Sequence, residues 1–277
     1  MDIALIIKSV IMGIVEGLTE FLPISSTGHL IIVGGLLQFD ASIAGGKTVA
    51  DTFEVFIQLG AILAVVVYFI RDLLDLLKRV PSDKSAQRLL LGVAIAFIPA
   101  AVIGILLNKL IDTYLFSNFT VGIALVVGAL VMLWVEQWIK THPRDITSLD
   151  VVTPKIGLGV GIAQVASLFP GMSRSASTIV GGLLMGMDRA TALRFSFYLS
   201  IPTMIAATLF KLIKEIGTIH GDAVGSFAIG TIVSFIVALV VIKWFLGYVA
   251  KHDLRPFAWY RLAVGALMIA LYLPLPK

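Results

Sequence analysis

Cysteine is absent from this chain of 277 residues, and charged side chains are scarce. The absence of cysteine excludes disulfides, thiolate nucleophiles and cysteine-ligated metal sites. Charged residues make up 14% of the sequence and hydrophobic residues 58%, whereas soluble domains carry about 25% charged and about 45–50% apolar residues. With a mean hydropathy of +1.01, the chain cannot cover a core with polar surface. We therefore expect an all-α polytopic membrane protein.

Six segments are apolar and long enough to cross a hydrocarbon core about 30 Å thick as helices. They cover roughly residues 53–70, 89–107, 119–135, 195–213, 227–246 and 257–273. Four other apolar segments are shorter or interrupted, and they cover roughly residues 3–21, 24–37, 156–169 and 174–187. These four form two pairs, each broken by a polar turn that contains proline. Such pairs predict two re-entrant helical hairpins, whose turns must be surrounded by protein or water.

The two turns align with each other, which predicts an internal duplication. Pro23 falls on Pro170 and Ser26 on Ser173, and in the same register residues 32–37 (IVGGLL) recur as residues 179–184. Each half then holds one hairpin and three spans. Because three is an odd number of crossings, the second half would enter the membrane in the opposite orientation, as an inverted-topology repeat.

These patterns predict a single membrane domain over 1–277, with a first repeat over 1–140 and a second, inverted repeat over 150–277. The longest loops, 71–88 and 136–155, are predicted to be short linkers. Twelve lysines and arginines lie in loops on the side of 71–88, and five lie on the side of the N-terminus. By the positive-inside rule the first side is cytoplasmic, so both termini are predicted to be external. The net charge of +4 fits such basic loops and does not indicate a nucleic-acid partner.

Ionisable residues within apolar segments are functional candidates by default. Glu16 and Glu20 lie four residues apart and share a helix face, where repulsion and desolvation disfavour two charged carboxylates. A divalent cation, Mg²⁺ or Ca²⁺, would relieve that repulsion and would take further ligands from phosphate oxygens. The alternative is that one glutamate forms a salt bridge with an arginine of the other half. Arg261, well inside the last span, either pairs with an acidic residue or contacts a ligand.

The first turn, FLPISSTGH over residues 21–29, is rich in hydroxyl groups. Ser25 or Ser26 is expected to cap the following helix. The free backbone N–H groups at a helix N-terminus bind anions, so Ser25, Ser26, Thr27 and Gly28 form a candidate phosphate site. His29, close in sequence to two carboxylates and Ser26, is a candidate acid, base or nucleophile.

The second turn supplies a fixed positive charge that the first turn lacks. Ser173, Arg174 and Ser175 open the equivalent helix, and the planar donor fork of arginine suits phosphate. If the two hairpins meet, two helix N-termini, one arginine and several hydroxyls converge. The ligand that this constellation suits is a phosphate or a diphosphate.

The stretch from Glu16 to His29 resembles the E-x-x-x-E and P-x-S-S-T-G-H signature of the undecaprenyl-diphosphate phosphatases, the bacitracin-resistance family. Residues 170–175 resemble that family's P-G-x-S-R-S motif, and the resemblance covers essentially the whole chain. It implies a bacterial plasma-membrane enzyme that hydrolyses undecaprenyl diphosphate to undecaprenyl phosphate and inorganic phosphate. That reaction recycles the lipid carrier for cell-wall synthesis and confers bacitracin resistance. The resemblance also implies a divalent cation and a site that faces outside.

With this resemblance, we expect Ser26 to attack the distal phosphorus while Glu20 or His29 takes its proton and Arg174 stabilises the charge. Attack by His29, or by water directly, remains open. Glu16 and Glu20 are the expected metal ligands. The expected partners are the polyprenyl diphosphate substrate and membrane lipids, and the oligomeric state, monomer or homodimer, stays open. The rival function is a flippase or transporter of polyprenyl phosphates, because many transporters are built from inverted repeats with broken helices.

Overall fold

A computed structural model of the protein describes residues 2–215 and 223–272, and these residues fold into α-helices. In chain order the helices are α1 (Ile3–Thr19), α2 (Ser26–Leu37), α3 (Phe39–Ser42), α4 (Gly46–Tyr68), α5 (Ile70–Arg79), α6 (Lys84–Tyr114), α7 (Asn118–Trp138), α8 (Pro154–Val165), α9 (Arg174–Leu184), α10 (Arg189–Glu215), α11 (Ala223–Val249) and α12 (Arg255–Tyr272). Two short 3₁₀ helices, Leu149–Val151 and Ala166–Leu168, flank α8. The described residues form no β-strand, and a lone parallel bridge joins Ile146 to Met187. The all-α prediction is confirmed.

Five helices of the described residues are long and apolar enough to cross a membrane. They are Gly46–Tyr68, Lys84–Ile111, Asn118–Trp138, Arg189–Ile213 and Ala223–Val249. They match five of the six predicted spans and confirm a polytopic membrane protein. The sixth predicted span, 257–273, corresponds to α12, which is not among the five and which ends where the described residues end.

The four shorter apolar segments also form helices, as predicted. α2 and α8 contain 12 residues each and α9 contains 11. At a rise of about 1.5 Å per residue, a helix of this length spans about 18 Å, too short for a hydrocarbon core of about 30 Å. α1 is longer, with 17 residues. The four helices are confirmed, whereas their pairing as re-entrant hairpins and their insertion as an inverted repeat stay predictions.

The segment 71–88 differs from the predicted linker, because α5 occupies its first half and α6 begins at Lys84. Leucines alternate with charged residues in α5 at a spacing that gives the helix one apolar face. Asp83 accepts a hydrogen bond from the Ser85 backbone N–H at 2.7 Å and so caps α6. Arg79, at the end of α5, donates to Asp83 at 2.6 Å and to Asp150 at 3.0 Å.

The chain divides into two compact units. The first contains Met1–Phe21, His29–Ile70 and Ser200–Trp244, and the second contains Leu22–Gly28, Arg71–Leu199 and Phe245–Lys277. Each unit takes residues from both halves of the sequence. The predicted repeat boundaries, 1–140 and 150–277, stay a prediction.

Aromatic rings and glycines build the interior of the first unit. Phe53 lies 4.7 Å from Phe39 and 5.4 Å from Phe227 between ring centroids. Gly13 faces the backbone of α11, where an added Cβ would lie 2.6 Å from the Gly230 carbonyl oxygen. Such close backbone approach is how helices associate in a membrane, where apolar area alone gives no preference for protein over lipid.

In the second unit, glycines also allow close backbone approach, between α12 and α7 and between α8 and α6. A Cβ added to Gly265 would lie 2.9 Å from the Gly122 carbonyl oxygen, and one added to Gly161 would lie 2.5 Å from that of Ala96. Because the backbones of α7 and α12 approach this closely, Arg261 on α12 reaches the backbone of α7. This packing places the buried arginine beside both predicted turns.

Candidate functional site

The first turn leads into α2, which begins at Ser26. Ser25 precedes the helix with φ of +70°, in the left-handed region that residues other than glycine seldom adopt. Its Oγ accepts a long hydrogen bond of 3.5 Å from the Gly28 backbone N–H, three residues on. This is the N-cap contact, so the choice left open by the sequence falls on Ser25 rather than Ser26.

The second turn repeats this arrangement at the start of α9. Ser173 has the same φ of +70°, and its Oγ accepts a 3.2 Å hydrogen bond from the Ala176 backbone N–H. The Oγ atoms of Ser173 and Ser175 lie 3.0 Å apart and are hydrogen-bonded. Gly171, with φ of +100°, supplies the sharp bend that a side chain would oppose.

The positions of the two cap residues show that the turns correspond in a register one residue different from the sequence alignment. The conformational counterpart of Ser173 is Ser25, whereas the sequence alignment placed Ser26 on Ser173. Ile32 follows its cap by seven residues and Ile179 by six. One residue turns a helix by about 100°, so the two identical IVGGLL segments face differently relative to their caps. The register that aligns the two IVGGLL segments is therefore not the register that aligns the two turns.

The two turns are in direct contact within the second unit. Ser175 Oγ, on α9, donates a 2.8 Å hydrogen bond to the Leu22 carbonyl oxygen in the first turn. Arg261 Nη1 donates to the carbonyl oxygens of Pro23 at 3.3 Å and Met172 at 3.1 Å, one from each turn. The structure therefore brings Ser25, Ser26, Thr27 and Gly28 into the same unit as Ser173, Arg174 and Ser175.

Arg261 binds backbone carbonyl groups, a role that the sequence did not indicate. Its side chain is fully buried, and its Nη2 also donates to the Gly171 carbonyl oxygen at 3.0 Å. Two further carbonyl oxygens, those of Ala124 and Leu125 on α7, accept from the same guanidinium at 3.4 Å and 3.3 Å. Within the described residues it forms no ion pair, so the first of the two alternatives, pairing with an acidic residue, is not found, and contact with a ligand stays a prediction.

Arg174 is oriented by α10. Its Nη1 donates to the Ser196 carbonyl oxygen at 3.2 Å and to Ser196 Oγ at 3.4 Å. Thr178 Oγ1 is 2.6 Å from the same Ser196 Oγ and also donates to the Arg174 carbonyl oxygen at 2.9 Å. Ser196 therefore holds the arginine side chain, and its hydroxyl within an apolar span was the only sequence signal for that role.

The remaining predicted site residues belong to the first unit. Glu16 and Glu20 lie one turn apart at the end of α1 and are buried, with relative exposures of 0% and 8%. His29 lies on α2 and is half-buried. Among the described residues, no group of three or more histidines and carboxylates could hold a metal ion.

The second unit thus presents two helix N-termini, two arginines and a set of hydroxyl groups in adjoining segments. Positive partial charge at a helix N-terminus favours an anion, and arginine adds a full charge with directional donors. Ser25 and Ser173 precede their helices with the same φ of +70°. Chemically, this arrangement suits a phosphate group.

Comparison with known proteins decides the family. Residues 9–267 match the family described as bacitracin resistance protein BacA. The chain belongs to this family. The BacA match extends from before Glu16 to beyond Arg261, so it includes every predicted site residue and the buried arginine that joins the turns.

Curated relatives of this BacA-family chain match it over almost its whole length. The Undecaprenyl-diphosphatase of Caldanaerobacter subterraneus subsp. tengcongensis is 51% identical over 271 residues, which cover 98% of this chain and 97% of the relative. The Undecaprenyl-diphosphatase of Thermoanaerobacter sp. (strain X514) is 52% identical over 267 residues, covering 96% and 97%. Undecaprenyl-diphosphatase 1 of Burkholderia cenocepacia is 47% identical over 271 residues, covering 97% and 96%.

Proposed function

We propose that this protein is an integral-membrane phosphatase that hydrolyses undecaprenyl diphosphate to undecaprenyl phosphate and inorganic phosphate. The names of relatives 47–52% identical over nearly the full chain support the activity and the substrate. The structural observation that supports it most is the hydrogen bond from Ser175 to the Leu22 carbonyl oxygen, which joins the two serine-rich turns. The reaction recycles the lipid carrier for cell-wall synthesis.

The proposed chemistry is phosphoryl transfer in two steps. In the first, Ser26 Oγ attacks the distal phosphorus, the bond to the bridging oxygen breaks, and undecaprenyl phosphate leaves with the electron pair. Glu20 or His29 accepts the Ser26 proton. In the second step, water attacks the phosphoserine, inorganic phosphate leaves, and Ser26 regains a proton.

The cap assignment favours Ser26 over Ser25 as the nucleophile. Ser25 Oγ accepts the helix-capping hydrogen bond from Gly28, so Ser26 is not required for that structural role. Ser26 is the first residue of α2 and is buried, close to the backbone N–H groups that begin the helix. A phosphoryl group bound by those N–H groups would lie near its hydroxyl.

Arg174 and the backbone N–H groups of both turns are proposed to stabilise the charge on the equatorial phosphoryl oxygens. Preorganised donors of this kind each contribute about 10²–10³ in rate in other enzymes. Ser196 fixes the Arg174 guanidinium before substrate binds, since it supplies both a carbonyl and a hydroxyl partner. Ser173 and Ser175 add hydroxyl groups beside it, and the first turn adds the Thr27 hydroxyl and the Gly28 backbone.

Glu16 and Glu20 are the proposed ligands of a divalent cation, Mg²⁺ or Ca²⁺. Both carboxylates are buried one turn apart, Glu16 in α1 and Glu20 at the residue that caps its C-terminus, which suits a hard cation that prefers oxygen ligands. Two carboxylates are too few to complete its coordination, so phosphate oxygens and water would supply the rest. When bound, the cation would offset negative charge on the diphosphate.

Phosphate release by the purified protein in detergent tests the function. With undecaprenyl diphosphate as substrate, the wild type should release inorganic phosphate, and Ser26→Ala and Arg174→Ala should each reduce turnover by about 10²-fold or more. Arg88→Lys, on the exposed face of α6, is the control. A pure flippase would release no phosphate, and full turnover in Arg174→Ala would contradict the two-turn site.

Single-turnover labelling with a phosphorus-labelled substrate identifies the nucleophile. Label on Ser26 is the expected result. Label on His29 would assign the attack to the histidine, and the absence of a covalent intermediate would favour direct attack by water.

The proposed location is the bacterial plasma membrane, with the site and both termini on the external side. The orientation follows from the lysine and arginine distribution. Because the chain lacks cysteine, single introduced cysteines report topology without background. A membrane-impermeant maleimide should label Phe116→Cys on intact spheroplasts and should spare Lys78→Cys. The reverse pattern would overturn the orientation.

A further inference from the structure

Arg261 is unusual because its buried guanidinium is satisfied mainly by backbone carbonyl groups, with the Met132 Sδ, 3.8 Å from Nη1, as a weak side-chain partner. It is fully buried, and it donates to five carbonyl oxygens in three segments of the chain, those of Pro23, Gly171, Met172, Ala124 and Leu125. A buried charge without partners is costly, so a cation retained here needs these acceptors. Three of the five belong to the two turns that the proposed mechanism uses.

The contact with Met172 has a directional consequence for the second turn. A peptide unit is planar and trans, so its C=O and its N–H point in opposite directions. The Met172 carbonyl points to Arg261 at 3.1 Å, and therefore the Ser173 N–H of the same peptide points away from Arg261. The guanidinium thus fixes the orientation of the peptide that immediately precedes α9.

Gly128 creates the space for this arginine. Gly128 lies on α7, one helical turn after Ala124. The Ala124 carbonyl oxygen accepts a hydrogen bond from Arg261 Nη2 at 3.4 Å. A Cβ added to Gly128 would overlap that Nη2 and lie 2.8 Å from Cζ. A single methyl group at this position would therefore displace the guanidinium while its charge stays in the protein.

The geometry points to Arg261 as a positioning residue for the phosphatase reaction, which binds the carbonyls of both turns and fixes them relative to each other. This inference rests on the proposed function of the two turns. Arg261 acts through the turns and does not itself contact the phosphate. The hydrogen bond from Ser175 to Leu22 joins the turns at a second point, so loss of Arg261 would misalign them without separating them.

This role predicts an effect on turnover more than on substrate binding. Misplacement of reacting groups by about 1 Å lowers rates by about 10²-fold. Lysine keeps the charge, but its one nitrogen with three donors cannot hold carbonyls from both turns and α7 together. If Arg261 instead bound phosphate as a simple cation, lysine would restore much of the activity.

The test compares Arg261→Lys and Gly128→Ala with Arg88→Lys and Gly247→Ala. Arg88 is exposed, and a Cβ on Gly247 would meet no atom within 4 Å. We expect kcat for undecaprenyl diphosphate to fall about 10- to 100-fold in the first two variants, with KM changed by less than about threefold. Both controls should match the wild type. Thermal unfolding in detergent checks that each variant is folded, and Gly128→Ala decides the question if Arg261→Lys does not fold.

Two results would overturn the inference. Wild-type kcat in Arg261→Lys would show that charge alone suffices, and wild-type kcat in Gly128→Ala would show that the position of the guanidinium does not matter. Ser26→Ala and Arg174→Ala are measured in the same assay. If these retain turnover, the proposed site fails; if they lose it while Arg261→Lys keeps it, only the positioning role fails.

Discussion

Ser25 and Ser173 have the same left-handed backbone angle, φ of +70°, at the residue before α2 and before α9. Both serines accept a hydrogen bond from the backbone N–H three residues on. Strained backbone of this kind persists where the surrounding structure holds it, and it is frequent at functional sites. The two turns therefore share a positive φ and a cap hydrogen bond at these serines, and that positive φ is the basis of the first prediction.

Replacing Ser173 by alanine should destabilise the protein more than replacing it by glycine. Alanine loses the cap hydrogen bond and keeps a Cβ at φ of +70°, so we expect a loss of about 1–2 kcal/mol in the free energy of unfolding. Glycine adopts this angle without steric cost. Chemical denaturation in detergent measures the difference. Ser117 caps α7 with φ of −117°, so the difference in unfolding free energy between its alanine and glycine variants should be smaller than at Ser173. Equal differences at the two positions would contradict the prediction.

Ser196→Ala should reduce activity less than Arg174→Ala does. The substitution removes the hydroxyl partner of Arg174 at 3.4 Å but keeps the Ser196 carbonyl, which accepts at 3.2 Å. A neutral hydrogen bond contributes about 0.5–1.5 kcal/mol, so kcat/KM should fall about 3- to 10-fold. Phosphate release with undecaprenyl diphosphate measures it. A loss as large as that of Arg174→Ala would mean that Ser196 contacts the substrate itself.

Glu136→Gln should destabilise the second unit without a specific effect on turnover. Glu136 is buried with a relative exposure of 1%, and it accepts from Arg189 and from the Leu254 backbone N–H at 3.0 Å. Removing one partner of a buried ion pair costs about 3–5 kcal/mol, and we expect about 2–4 because Arg189 is partly exposed. Thermal unfolding in detergent measures the loss. Asp145→Asn, at an exposed carboxylate, is the control and should leave the transition unchanged.

Acid should weaken the cap of α6 over a defined pH range. Hydrogen bonds from the Ser85 side chain, from Arg79 and from the Ser85 backbone lower the pKa of Asp83 from 3.8 to about 2. The same Asp83 and Asp150 contacts raise the pKa of Arg79 above its ordinary value. Because the folded pKa lies below the unfolded one, the stabilisation is fully present above about pH 4 and is lost as the pH falls through 2.

Comparing the wild type with Asp83→Asn isolates this group. Between pH 4 and pH 2 the thermal transition of the wild type should fall more steeply than that of the variant, since the amide does not titrate. If the melting temperatures of the two proteins fell in parallel between pH 4 and pH 2, Asp83 would not contribute to the pH dependence of stability. Added salt should reduce the difference, because the Arg79–Asp83 pair is partly exposed.

The sequence predicted the membrane class and the short helices because both depend on local properties. The length of an apolar segment decides whether it spans a bilayer, and proline, glycine and serine interrupt it wherever they occur. The segment 71–88 was predicted less well, since α5 combines four leucines with five charged residues and its mean hydropathy resembles that of a loop. The helical spacing of its leucines is the signal that would have identified it.

The sequence by itself determined which side chains are candidates for the chemistry: Glu16, Glu20, Ser26, His29 and Arg174 all stand in its two polar motifs. The tertiary structure decided that Ser25 rather than Ser26 is the cap, and that Arg261 binds carbonyls of both turns. Every residue has a backbone carbonyl, so the sequence does not show which carbonyl groups a buried arginine will bind. Only the packing of α12 on α7, where glycines bring the two backbones together, shows which carbonyls the arginine reaches.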